Sequence, residues 1–110
     1  MTNYARAGRA REHRVALDMA KYGVRQIMRA AGSKGSADLL MVSDLHGLAL
    51  VQVGTRNKTL GPAARKRFVA DAADASALPL LAVTTPGVGV RYWWVTNMRP
   101  SSWHEVFPDD

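Results

Sequence analysis

The apolar positions along the chain change period several times, and each change predicts an element. From Asn3 to Lys21 there is no proline, alanine and arginine dominate, and Gly23 offers a stop, so this stretch reads as a first helix. At about 100° per residue, Ala5, Gly8, Val15, Ala16 and Met19 fall within about 60° of a common direction. Glu12 lies in the middle of that stripe and so points inward, while Arg6, Arg11, His13, Arg14 and Asp18 point elsewhere. A buried carboxylate needs a cation, a metal or a hydrogen-bond network.

After Gly23 the period shortens. Val24 to Ala31 alternates as a partly exposed first strand. The loop "GSKGSAD" then delivers Asp38 to the start of a second strand, Ala37 to Ser43, and Asp44 to Gly47 supply turn residues. "LALVQVGTR" returns as the third strand. The uninterrupted apolar runs of this hairpin imply burial on both faces and a central place in a sheet. Pro62, Ala64, Phe68, Ala72 and Ala75 restore a near-helical spacing for a second helix, with Arg65, Lys66 and Arg67 in its first turns. Leu78 to Thr84 and Val90 to Thr96 form two further strands around the turn "TPGVG". "WHEVF" adds a short turn or strand. The order is α-β-β-β-α-β-β in a single domain, residues 1–110: first helix to 21, three-stranded core 24–58, second helix 62–76, final strands 78–96 and a tail 97–110.

Composition sharpens this. At 110 residues and 47% apolar content the chain supports one domain with a modest core. It has no cysteine, which excludes disulfides, thiolate chemistry and cysteine-ligated zinc and suits a reducing, cytoplasmic setting. No window approaches the length of a membrane span, so no membrane partner is expected. The net charge of +6 comes mainly from arginine, whose planar fork suits phosphate. Either nucleic acid is the partner or the basic surface is merely solvated; Arg6, Arg9, Arg29, Arg65 and Lys66 are candidate phosphate contacts.

Three oxygen-bearing side chains stand at positions that a hairpin and a packed helix bring together: Glu12, Asp38 and Gln52. With the Val53 backbone carbonyl they offer the donor set of a hard divalent cation such as Mg²⁺ or Mn²⁺. Such a metal polarises a phosphodiester and lowers the pKa of a water nucleophile. The structural alternative is that Asp38 caps a turn, Glu12 pairs with an arginine and Gln52 hydrogen-bonds within the sheet. His13 points about 100° from Glu12, and His46 and His104 have no zinc-site spacing. "GSKGS" lacks the phosphate-loop pattern. In "RYWWV", Tyr92 and Trp94 share one face and Trp93 takes the other. At least one aromatic face must leave the sheet's core, either as a dimer interface or as a stacking platform for unpaired bases.

"GRARE" (Gly8 to Glu12), "RAAGSKGSADLL" (Arg29 to Leu40) and "LVQVGTRNK" (Leu50 to Lys58) in that order resemble the archaeal-type Holliday junction resolvases of the PD-(D/E)XK nuclease superfamily. The resemblance covers about residues 4–84. It implies a restriction-endonuclease-like α/β core, a central mixed sheet flanked by helices, and a homodimeric, Mg²⁺-dependent endonuclease that nicks paired strands of a four-way DNA junction. It matches the helix glutamate to Glu12, the metal-binding aspartate to Asp38 and the acid of the Glu-x-Lys motif to Gln52. Ser33 or Ser36 would contact the scissile phosphate, with Lys34 nearby. The motif's lysine falls on Gly54. Side chains alternate along a strand, so Gln52, Gly54, Arg56 and Lys58 share a face while it stays extended, and Arg56 lies about 6.6–6.8 Å beyond Gly54. Arg56 or Lys58 could therefore supply the displaced cation; Arg56, permanently protonated, would stabilise phosphate charge but serve poorly as a base. Alternatively Gly54 marks a bulge or bend, and the protein is an inactive relative that binds branched or duplex DNA.

Overall fold

The structure, a computed structural model, describes residues 4–29, 37–55, 60–85, 87–96 and 98–107, without the side chains of residues 4–8 and 55. The chain forms α1 (Tyr4–Met19), β1 (Val24–Arg29), β2 (Leu39–Ser43), β3 (Gly47–Thr55), α2 (Pro62–Asp74), β4 (Leu78–Thr85), β5 (Gly89–Trp94) and β6 (Glu105–Val106). A 3-10 turn, Ala20–Tyr22, extends α1. It stops where expected, at Gly23, whose φ of 74° lies in the left-handed region that glycine enters without a Cβ clash.

One six-stranded mixed sheet runs in the order β1-β2-β3-β4-β5-β6. Only β3 and β4 are parallel, with α2 as their crossover; every other neighbouring pair is antiparallel. The hairpin strand β3 is thus central, as its apolar run implies. Its sides feed two cores. Ala49 and Val51 join Val15 and Met19 of α1 on one face, and Leu50 joins Phe68 and Ala72 of α2 on the other. At roughly 25 cal/mol per Å² of apolar surface removed from water, these two layers supply the main driving force for the fold.

The expectation that an aromatic face leaves the sheet's own core narrows here to Trp93, which is half-buried and borders an open cavity. Tyr92 is 0% exposed and packs with Trp94 on the α1 side, while Trp93 packs on the α2 side. Both faces have a helix to bury against, which sequence alternation could not reveal. Asp18, expected to point away from the core, is corrected: its side chain is only 15% exposed. Its Oδ2 accepts a 2.6 Å hydrogen bond from the Tyr92 hydroxyl, and Lys21 pairs with Oδ1 at 2.8 Å. Tyr92 needs a partner at its buried end, and Asp18 supplies one.

The second strand starts two residues later than its sequence pattern suggests, at Leu39 rather than Ala37. The tail adds a 3-10 turn, Pro100–Ser102, and the short strand β6, which pairs Tyr92 with Val106 and Trp93 with Glu105.

Candidate active site

The ends of four elements meet at one end of the sheet. Because β3 and β4 are parallel, both finish there; antiparallel pairing of β1 with β2 puts Arg29 beside Leu39 at the same end, so Asp38 enters from it. The ladder between β2 and β3 ends at Leu39 opposite Val51, while β3 runs on to Thr55. Past that point β3 has an edge no longer paired with β2, and an unpaired backbone amide there needs a partner.

Asp38 meets that need. Its own N–H donates to the Val51 carbonyl at 2.8 Å, and its carboxylate Oδ2 accepts the Val53 N–H at 2.9 Å. The side chain therefore replaces a departing strand and is fixed in place. Burial pushes its carboxyl above the ordinary carboxylate range; the Val53 hydrogen bond opposes this, the Glu12 charge adds to the rise, and Arg11 and Arg29 oppose it. Glu12 is thus near enough for its charge to be felt at Asp38. Its side chain is 16% exposed and lies beside the buried α1 residues Val15 and Met19, as the helical stripe predicts. Arg29 Nε donates to Glu12 Oε1 at 2.9 Å. The arginine pairing weighed for Glu12 is therefore present, and a small cleft of about 240 Å³ adjoins it, bordered by Arg9, Glu12 and His13 of α1 and by Arg29.

Gln52 is half-buried in β3, opposite Leu81. Alternation from Leu50 puts it on the α2 face, with Glu12 approaching from the α1 side and Asp38 at the end of β2 between them. Gly54 is buried on the α2 face, opposite Val83, in a register that runs unbroken from Ala49–Leu78 to Thr55–Thr84. The bulge or bend considered for Gly54 is thus not found against β4. Ser33, Lys34, Ser36, Arg56 and Lys58 lie outside the described residues, as does the side chain of Arg6. Arg9 and Lys66 are exposed. Arg65 is half-buried, with Nη1 donating to the Leu60 carbonyl at 3.2 Å, so its approach to phosphate competes with a local role. Among the described residues no group of three or more His, Asp or Glu side chains could hold a metal.

Two features were not legible beforehand. Arg11 acts on Asp38 although it sits off the apolar stripe; its adjacency to Glu12 was the available signal. Trp103, in a tail without period, packs on the α2-side core and has the Arg65 guanidinium 5.9 Å from its ring centre.

The arrangement offers hard oxygen donors at a strand end, flanked by arginines: a setting that can hold a divalent cation against a phosphate. No protein-family model matches the sequence, and no curated protein matches it. One solved structure similar to this chain is Hjc, a Holliday junction resolvase from the archaeal hyperthermophile Archaeoglobus fulgidus, with a TM-score of 0.65 at 19% identity over 78% of this chain and 70% of that one. The α/β fold, two helices about a central mixed sheet, is therefore one that the chain shares with that structure.

Proposed function

We propose that this protein is a metal-dependent endonuclease that cuts branched DNA, with the four-way junction as its substrate, and that it works as a homodimer with a PD-(D/E)XK-type site. The observation that carries the reading is Asp38: a carboxylate locked at the open edge of β3 by the Val53 amide, its acidity weakened by burial and by the neighbouring Glu12 charge. Two nearby carboxylates under those conditions gain from a cation between them.

The donor set fits Mg²⁺ or Mn²⁺, since it contains only hard oxygens and such ions retain several waters beside one or two carboxylates. Asp38 and Glu12 would hold the ion, Arg29 fixing one Glu12 oxygen and leaving the other for the cation. The amide and carbonyl of one extended residue leave a strand on the same edge, so the Val53 carbonyl faces the Asp38 side. Gln52 stands on the α2 face, across the sheet from Glu12, so its amide oxygen would join the ion only around the edge that β2 no longer covers. A bound ion would polarise the phosphodiester and lower the pKa of the attacking water. Arg29 and Arg11, whose charges already act on Asp38, would stabilise the negative charge that gathers on the phosphate, with Ser33, Lys34, Ser36 and Arg56 or Lys58 completing the contacts. Arg6, Arg9, Arg65 and Lys66 would bind the DNA backbone.

A second reading has one observation in its favour. Gly54 sits in a regular ladder at the position where the resembled nucleases carry a lysine, so the protein could bind branched or duplex DNA without cutting it.

The test is incubation of the purified protein with a labelled four-way junction and with linear duplex, in Mg²⁺ or Mn²⁺, beside Asp38→Ala and Gly54→Lys variants. Nicking of the junction, lost in Asp38→Ala by a hundredfold or more, is expected (about 3 kcal/mol or more of barrier). Gly54→Lys should raise the rate. Tight binding with no nicking in either metal, for the wild type and Gly54→Lys alike, leaves only the binding protein. Loss of binding at low salt rejects both.

A further inference from the structure

On the α2 face the sheet register carries two rows of side chains away from the candidate site. One runs Gln52, Leu81, Trp93, Glu105 across β3 to β6; the next runs Gly54, Val83, Arg91. Neighbouring strands lie about 4.8 Å apart, so Arg91 is about 10 Å from Gly54 along its row. Leu81, Val83, Arg91, Trp93 and Trp103 line an open cavity of about 610 Å³. The cavity therefore begins one strand from the two β3 positions that the nuclease reading depends on, and glycine at 54 puts no side chain between them.

The cavity's chemistry is specific. Two half-buried indoles border it. The Arg91 guanidinium lies 5.1 Å from the Trp93 ring centre and is steered there by a forked bond to Glu105 at 2.6 and 2.8 Å. Behind the cavity wall, the Arg65 guanidinium lies 5.9 Å from the Trp103 ring centre and adds positive charge to this side of the sheet. Flat aromatic surfaces beside an exposed arginine suit a planar ligand that carries a negative charge.

We infer that this cavity receives an unpaired nucleobase of the DNA strand that crosses the candidate site, the base stacking on the indoles of Trp93 and Trp103 while Arg91 meets the adjoining phosphate. The inference rests on the proposed function for its ligand, and it gives that site a means of preferring DNA with an unstacked base at the branch. Stacking on an indole is tolerant of base identity, so the preference is for structure and not for sequence.

The test measures binding without metal, in EDTA, so that cleavage plays no part. The full-length protein is titrated with a thymidylate oligonucleotide, with blunt duplex and with a four-way junction carrying 2-aminopurine at the branch. Tryptophan emission and 2-aminopurine emission are both followed. Quenching by the oligonucleotide and the junction, but not by duplex, is expected. Trp103→Leu should weaken oligonucleotide binding about tenfold while leaving duplex binding unchanged, and Trp103→Phe should recover most of it. Circular dichroism checks that both variants fold. Equal weakening for duplex and oligonucleotide overturns the base site, as does absence of quenching. So does a shift in tryptophan emission that follows protein concentration alone, because a second copy then covers the cavity. Nicking by a wild type that shows no quenching rejects the base site alone; quenching without nicking rejects only the nuclease.

Discussion

Asp38 does two jobs that pull in opposite directions, and its acidity records the conflict. Burial and the nearby Glu12 charge favour its neutral form; the Val53 amide, which donates to Oδ2, favours the carboxylate. A carboxyl whose folded pKa is raised keeps its proton longer in the native state than in the unfolded one. Stability from this group is therefore present below the ordinary value of 3.8 and is lost as pH rises through the higher folded value. Asp38→Asn keeps the acceptor and removes the charge. At neutral pH it should melt above the wild type, and the gap should close as pH falls into the range where the Asp38 carboxyl is protonated. Added Mg²⁺ should raise the wild-type melting temperature and leave Asp38→Asn unmoved. Thermal melts at pH 4 and 7, with and without the metal, check both. The candidate residue itself was legible from its place at a strand entrance. Its hydrogen bond was not, because it depends on where β2 leaves the ladder.

At the scale of elements, the hairpin of β2 and β3 sets the geometry that everything else uses. Its three-residue connection, Asp44 to His46, closes on Gly47 at φ 72°, with the His46 N–H bonded to the buried Ser43 Oγ at 2.9 Å. Sequence identified this turn from "DLHG", and the αL residue at its end is the reason a glycine is required. A Cβ at Gly47 would meet nothing within 4 Å, so the cost of Gly47→Ala is backbone strain alone. It should be about 1–2 kcal/mol, read from urea unfolding. Because the register of this hairpin places Asp38 at the β3 edge, the same variant should lower metal-dependent stabilisation only as far as it lowers folding. Sequence pattern also found both helices and the succession of the first five strands along the chain. It misjudged Asp18, and left open which β5 aromatic stays accessible, because helical and strand periods assign directions relative to an element, not to the neighbours that element acquires.

For the whole molecule, charge and shape divide the work. The net charge of +6 predicts sequence-independent attraction to DNA whichever reading of the site holds. With about five phosphates contacted, the logarithm of duplex affinity should fall with the logarithm of salt at a slope of about −4 to −5, measurable by fluorescence anisotropy. A slope near zero would show that the basic groups do not face the DNA. Some already hold an ion pair that a phosphate would have to share, although each arginine stays exposed: Arg29 with Glu12, Arg91 with Glu105 and Arg25 with Asp44 at 2.7 Å. Among the described residues no helix is long and apolar enough to cross a membrane. What the sequence determined by itself was local or summed: the periods of the elements, the inward glutamate of α1, the turn at Gly47, the charge, and the absence of cysteine. Each follows from a repeat or a count within one stretch of chain. Only the tertiary structure decided which groups share a space. It seated Asp38 against Val53 and near Glu12, kept Gly54 in an unbroken ladder, buried Tyr92 on Asp18, and laid Trp93 and Arg91 in rows that begin at Gln52 and Gly54. Those are relations between distant segments, and they exist only once strand register and helix packing have fixed which face of each element meets which neighbour.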